Sequence, residues 1–294
     1  MAYIKFDHTK TQKRTLVGIE MVKSVLDDLF KCQGFRLSVR QVFYALVAQG
    51  LVENSDKGSR FVEARAAAGR MRGLLDWDAI EDRLREVILP YYFDSIESGF
   101  QSLLEGYRLD RQMDQHFRIE IWVEKDAVSQ IIEPVAEEYG IPFLCGRGQF
   151  SISCLKESAD RWRADGRPVQ VLYFGDHDPS GIFSIEENIR NKMRMMCPDV
   201  EQEIIRVAVP LGNLSMLKLL PPNKVKEKDR NTKKYRATYG EKCWELEALT
   251  PKVLVQLLHK ELRQWINFPI YHDIRKQEEV DREELERLIK RTRP

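Results

Sequence analysis

The sequence predicts an α/β chain: an N-terminal helical, winged-helix-like module, then a domain built on a mainly parallel sheet. Three observations carry this. From residue 118 onward, strand-like apolar runs alternate with amphipathic helical segments, the pattern that builds parallel sheets. Before residue 75, apolar residues recur only at helical spacing, in three segments separated by glycine-bearing turns. The 294 residues and 43% hydrophobic content suffice for the core of one large domain or two. The expected division is 1–110 and 111–294.

Residues 1–15 read as a polar arm. A helix over 17–31 follows, its apolar face made by Ile19, Met21, Val22, Val25, Leu26 and Leu29, and Gly34 stops it. Ser38, with Gln41 three residues on, has the spacing of a capping box for a second helix that Gly50 ends. After a turn at 51–58, a third helix over 60–74 carries Arg65, Arg70 and Arg72. Three such helices suggest a helix-turn-helix or winged-helix module, with a helical cap on the following domain as the alternative. The acids of 76–86 read as a helix N-terminus and a solvated face. Residues 90–114, with Tyr91, Tyr92, Phe93, Phe100 and Tyr107, read as the helix and linker between the modules.

The second module begins with a strand over 118–123 that ends in Glu124. A helix over 127–138, a strand over 141–144, the glycines Gly146 and Gly148, and a helix over 153–164 follow. A buried strand over 169–174 runs into Asp176-His177-Asp178-Pro179-Ser180-Gly181, then a helix over 182–196 and a strand over 203–209. Pro221-Pro222 marks a stiff break. Residues 223–240 hold Lys224, Lys226, Lys228, Arg230, Lys233, Lys234 and Arg236, opposed by Glu227 and Asp229, with Tyr235 and Tyr239 interleaved. Such a stretch is either a mobile loop or a surface for a phosphate backbone. Helices over 251–265 and 279–291 close the chain.

The chemistry centres on the aspartates. On an extended strand end, residues two apart point the same way, so Asp176 and Asp178 lie side by side and repel. A divalent cation compensates best, and Mg²⁺ takes such oxygen ligands. Sites in parallel sheets lie at the carboxyl ends of strands, where Glu124 also sits, so Glu124, Asp176 and Asp178 are expected to share one ion. Gly181 lets the backbone turn tightly behind them.

Glu124, the Gly146-Arg147-Gly148 segment and Asp176-x-Asp178-Pro-x-Gly181 together resemble the Toprim domain of topoisomerases, primases and certain nucleases. The Asp-x-Asp-Pro-x-Gly form, with Val-Glu-Lys before it, is most similar to the topoisomerase VI A subunit and its meiotic double-strand-break relatives. Ser38-x-Arg40-x-x-Phe43-Tyr44 resembles the motif around that family's active-site tyrosine, with Phe43 in place of its first tyrosine. Trp244-Glu-Leu-Glu-Ala-Leu-Thr-Pro resembles its C-terminal segment. The resemblance spans roughly residues 35–265. It implies Tyr44 as nucleophile, Arg40 as the cation that stabilises charge, Glu124, Asp176 and Asp178 around Mg²⁺, and a tyrosyl-phosphate on the 5′ side. It also implies a homodimer in which the tyrosine of one subunit works with the metal site of another. A phenol with a pKa near 10 needs a nearby cation to attack as phenolate.

The formal net charge of +1 does not announce a nucleic-acid partner, which rests instead on local basic patches. Expected contacts to double-stranded DNA are Arg65, Arg70, Arg72, Lys224, Lys226, Lys233, Lys234 and Arg236. No run approaches the roughly 18 apolar residues of a membrane span. Five scattered cysteines without a CxxC pattern point to a reduced compartment, so the expected location is cytoplasmic and DNA-associated, in the nucleoid if the source is prokaryotic. With no Walker A sequence, ATP-driven strand passage would need a separate GHKL-type ATPase subunit. Two alternatives stand beside Mg²⁺-dependent cleavage through Tyr44: a Toprim-type nuclease in which water attacks and Tyr44 is structural, and a DNA-binding subunit without catalysis.

Overall fold

The structure is a computed structural model that describes residues 3, 5–80, 92–209 and 220–292. It opens with α1 (Lys13–Leu26), which continues into a π-helical turn, Asp27–Cys32. Next come α2 (Val39–Ala48) and α3 (Asp56–Met71). The capping box forms as expected: Ser38 Oγ accepts from the Gln41 N–H at 3.3 Å, and Gln41 Oε1 accepts from the Ser38 N–H at 2.8 Å. Such a cap contributes about 1 kcal/mol and fixes where α2 starts. The third helix begins four residues before the expected 60, because Ser55 Oγ caps it by accepting from the Gly58 N–H. A Cβ on Gly58 would lie 2.2 Å from the Glu53 carbonyl, so only glycine lets the 51–55 loop fold this closely onto the helix. Ile19, Val22, Val42, Leu46, Val62, Ala66 and Leu75 fill the core between these helices. No wing hairpin accompanies them among the described residues, whose bridges here are the isolated pairs Lys5–Arg72 and Leu37–Ile80.

Residues 81–91, which include much of the expected acidic helix and Tyr91, lie outside the described residues. Within 76–80 the Asp78 N–H donates to Asp76 Oδ1 in a turn, not a helix. The linker contains α4 (Ile96–Gly106), capped by Ser95.

The second module is built on a four-stranded parallel sheet in the order β2-β1-β3-β4. Its elements are β1 (Arg118–Val123), α5 (Asp126–Tyr139), β2 (Phe143–Cys145), α6 (Ile152–Asp165), β3 (Val169–Phe174), α7 (Glu187–Met196, entered through a π-helical turn at Gly181–Glu186) and β4 (Gln202–Ala208). Alternation along the strands divides the core. Ile119, Ile121, Val123, Leu172 and Phe174 face α5 and α9, the latter spanning Pro251–Trp265. Trp122, Val171 and Tyr173 face α6 and α7. The sheet is thus covered on both faces, as all-parallel sheets are.

One alternative falls here and one expectation changes. The mobile-loop alternative for the basic stretch does not hold: β5 (Asn223–Lys224) pairs antiparallel with β6 (Lys242–Cys243), and α8 (Thr232–Tyr239) lies between them. Tyr235 is fully buried, its hydroxyl 2.6 Å from His177 Nδ1, and that anchor orders the segment. The closing helix, α10 (Phe268–Thr292), starts eleven residues before the expected 279. Among the described residues no helix is long and apolar enough to cross a membrane.

Candidate functional site at the carboxyl ends of β1 and β3

Because Val123 pairs with Phe174 in parallel register, the residues that follow, Glu124 and the Gly175–Asp178 turn, emerge side by side. Glu124 Oε2 accepts from the Asp176 N–H at 3.1 Å and the Tyr173 hydroxyl at 3.0 Å. Asp176 Oδ1 accepts from the Leu246 N–H at 2.7 Å, and Asp178 Oδ1 from the Gly181 N–H at 2.6 Å. A Cβ on Gly181 would lie 2.5 Å from the Asp176 carbonyl, so the glycine is required by close approach rather than by an unusual φ. From β4, Arg206 donates to the carbonyls of Gly175 and Asp176 and fixes the turn from behind. Both Glu124 and Asp176 are 4% exposed. Burial, and then the charge of Asp176, push the Glu124 carboxyl up to about 8. Burial likewise raises Asp178 above the ordinary carboxylate range.

Two further acids, Glu245 and Glu247, complete the cluster. Backbone bonds in both directions between His177 and Trp244 lay this segment against the aspartate turn. Lys125 reaches Asp176, Glu247 and Glu245 at 2.7, 3.1 and 3.3 Å. Burial opposes its charge, but the three carboxylates outweigh burial and keep it protonated. Arg40, on α2, grips Glu245 with both arms, Nε to Oε2 at 2.8 Å and Nη2 to Oε1 at 2.6 Å.

Tyr44 sits one turn beyond Arg40, whose guanidinium lies 5.7 Å from the ring centroid. Tyr44 is 2% exposed, and its oxygen accepts from Asn223 Nδ2 at 2.9 Å. Burial, then the charge of Glu245, push the phenol up to about 12, while Asn223 and Arg40 pull the other way. Tyr44 and Arg40 from the helical module line a cleft of about 340 Å³, and Asp178, Asn223, Lys224, Lys226 and Glu245 close it from the other side. Glu124 and Asp176 are not among its lining residues.

The remaining expected DNA contacts divide. Lys224 and Lys226 line the cleft, and Lys233 is exposed on α8. Lys234 covers the Phe183 ring at 4.0 Å and pairs with Glu187 at 3.6 Å. Arg236 is held between Glu227 and Glu241, the second of which lies just outside the basic stretch. Arg65 lies over Phe61, Arg70 over Trp77, and Arg72 pairs with Asp7 at 2.8 Å, none of them in the cleft lining.

Among the described residues, no group of three or more His, Cys, Asp or Glu side chains stands ready to hold a metal ion. The donor chemistry still suits a hard cation. Five carboxylates face only Lys125 and Arg40 as ion-pair partners among the described residues. Mg²⁺ is commonly held by one or two carboxylates, with water and phosphate completing the shell. Sequence reasoning singles out neither Glu245, Glu247 nor Lys125 for a role, although the Trp244–Pro251 segment stands out as a motif. Asn54 and Asn223 carry no local signal.

Compared with known proteins, the chain matches no family model and no curated protein.

Proposed function

We propose that this chain cleaves double-stranded DNA with Tyr44 as nucleophile, as an A-type subunit similar to that of topoisomerase VI, with a winged-helix-like module and a Toprim domain. The observation that carries this is the shared cleft. A tyrosine and an arginine of one module face an aspartate turn at the carboxyl ends of parallel strands, and two lysines border the gap. A DNA strand enters along Lys224 and Lys226, which neutralise its phosphates. Arg40 exchanges Glu245 for the scissile phosphate and stabilises the charge that develops there. The Tyr44 oxygen loses its proton to water in the open cleft and bonds to phosphorus. The bond from phosphorus to the 3′ oxygen breaks, and that oxygen takes up a proton. Glu124, Asp176 and Asp178 would hold Mg²⁺, which when bound steadies the scissile phosphate and the leaving oxygen. A homodimer and a separate GHKL-type ATPase subunit complete the proposal; Tyr44 acts here beside the acids of its own chain, where the resemblance implies those of the partner subunit.

The test is to quench the reaction with denaturant and look for protein covalently attached to DNA. Wild type should give the adduct. Tyr44→Phe should give none, while still folding and binding DNA. One observation favours a second reading, a Toprim-type nuclease in which water attacks: Tyr44 is nearly buried and its oxygen is already bonded. Cutting by Tyr44→Phe at the wild-type rate would establish that reading instead.

A further inference from the structure

The side-chain amide of Asn223 crosses from the sheet module to the reacting oxygen of Tyr44, and its orientation can be worked out from its neighbours. Asn54, in the loop before α3, donates through Nδ2 to the Pro222 carbonyl at 3.0 Å. A carbonyl can only accept, so this contact decides which end of the Asn54 amide carries the N–H groups. The same Nδ2 donates to Asn223 Oδ1 at 2.8 Å. That assigns the oxygen of Asn223 to Asn54 and leaves its Nδ2 facing Tyr44, 2.9 Å from the hydroxyl. An amide nitrogen can only donate. The hydroxyl proton of Tyr44 therefore points away from Asn223, and a lone pair of the oxygen is held in place.

We propose that Asn223 is a catalytic residue of the tyrosine reaction, its amide oriented by Asn54 so that its N–H holds the attacking oxygen of Tyr44. This rests on the reading of Tyr44 as nucleophile. As the O–H proton leaves, the donor faces a phenolate instead of a phenol, and the bond strengthens because its acceptor is now charged. In the reverse step, when the phosphorus–tyrosine bond breaks, the same N–H receives the returning charge. Asn54 touches no reacting atom and acts as a positioning residue. Arg40 on the tyrosine's own helix, Asp56 heading α3, Asp178 and Glu245 across the cleft, and Lys224, Lys226 and Asp229 near β5 are the charged groups that line the same cleft. None is altered in the variants that follow.

The experiment measures the rate of covalent attachment to end-labelled duplex DNA against pH, using the full chain, in wild type, Tyr44→Phe, Asn223→Ala, Asn223→Asp and Asn54→Ala. Asn223→Asp keeps the size of the side chain and the acceptor for Asn54, so it guards against a variant that merely fails to fold. Losing a hydrogen bond to a charged oxygen should slow Asn223→Ala about 10- to 100-fold. It should also move the rise of the rate to higher pH, since a donor that favoured the phenolate is gone. Asn223→Asp should be slower still, because its carboxylate opposes a second negative charge. Asn54→Ala should shift in the same direction by less. Asn223 variants that unfold cooperatively like wild type, bind DNA, and attach at the wild-type rate with the wild-type pH profile would overturn the proposal and leave the nucleophile reading intact. No adduct from wild type, or an adduct that survives Tyr44→Phe, would overturn both.

Discussion

Lys125 occupies the centre of the acid cluster, 2.7 Å from Asp176, and so supplies the charge balance that a cation would otherwise provide. Its neighbour Glu124 makes no ion pair among the described residues, and burial, then the charge of Asp176, push its carboxyl up to about 8 against the pull of Lys125. Asp176 thus links the two halves of the cluster, bonded through its N–H to Glu124 and through its carboxylate to Lys125 and the Leu246 N–H. Asp176→Asn keeps an acceptor for the Leu246 N–H and removes the charge. Cleavage at a fixed Mg²⁺ concentration should fall on the order of 10- to 100-fold or more, with DNA binding retained. Superimposable Mg²⁺ titrations of cleavage for the variant and wild type would rule out Asp176 as a metal ligand.

Among the elements, α10 departs furthest from the sequence expectation. Pro269 and the aromatic run of Tyr271 and His272 look unlike a helix start, yet proline is well tolerated in a first turn, where its missing N–H has no partner to lose. What holds α10 in place is a buried pair. Arg111 Nη2 donates to Glu278 Oε1 at 2.8 Å and its Nε to Oε2 at 3.2 Å, and the Leu109 N–H adds a third bond at 3.2 Å. Burial works against the Glu278 charge, but the Arg111 and Leu109 bonds prevail and lower its pKa. Glu278→Ala should therefore cost about 3 to 5 kcal/mol near neutral pH, since it leaves the Arg111 charge buried and unpaired. A carboxylate with a depressed folded pKa stabilises above its unfolded value, near 4.3, and loses that contribution as pH falls through the folded value. The gap between wild type and variant should close in strong acid. Denaturant melts across that range check this, and a gap independent of pH would contradict it.

The two modules meet through polar contacts, Arg40 with Glu245 and Asn54 with Asn223, around Ala248, which joins the core of the helical module. On the proposed function, that seam also separates the basic residues placed to meet DNA from those already paired. Lys224 and Lys226 border the cleft and Lys233 is exposed, whereas the charge of Arg236 is already matched by Glu227 and Glu241. Changing Lys224, Lys226 and Lys233 together to Ala should reduce the slope of log affinity against log salt by about 0.9 for each phosphate no longer neutralised. Arg236→Ala should leave the slope nearly unchanged. Equal slopes for the triple variant and wild type would assign the cluster to solvent rather than to DNA.

Local patterns in the sequence were enough for the capping box at Ser38 and Gln41, for β3, for α9 and for the strand–helix alternation, because each depends on hydrogen bonds or apolar periodicity within a few residues. They also placed Glu124 and the aspartates at strand ends, since parallel pairing puts those ends at one edge. The start of α10 and the order within 223–240 were not legible. Those depend on Asn267, just before α10, meeting Gln115, 152 residues away, and on Tyr235 meeting His177, 58 residues away. The composition of the site was likewise settled only by tertiary structure. Glu245 with Glu247, Lys125, and Asn223 come from three separate segments, and no spacing along the chain records that Arg40 reaches Glu245 across 205 residues. Residue type and local period decide what a segment becomes; which charged groups share a buried space, and so how each is ionised, is decided when the modules close on one another.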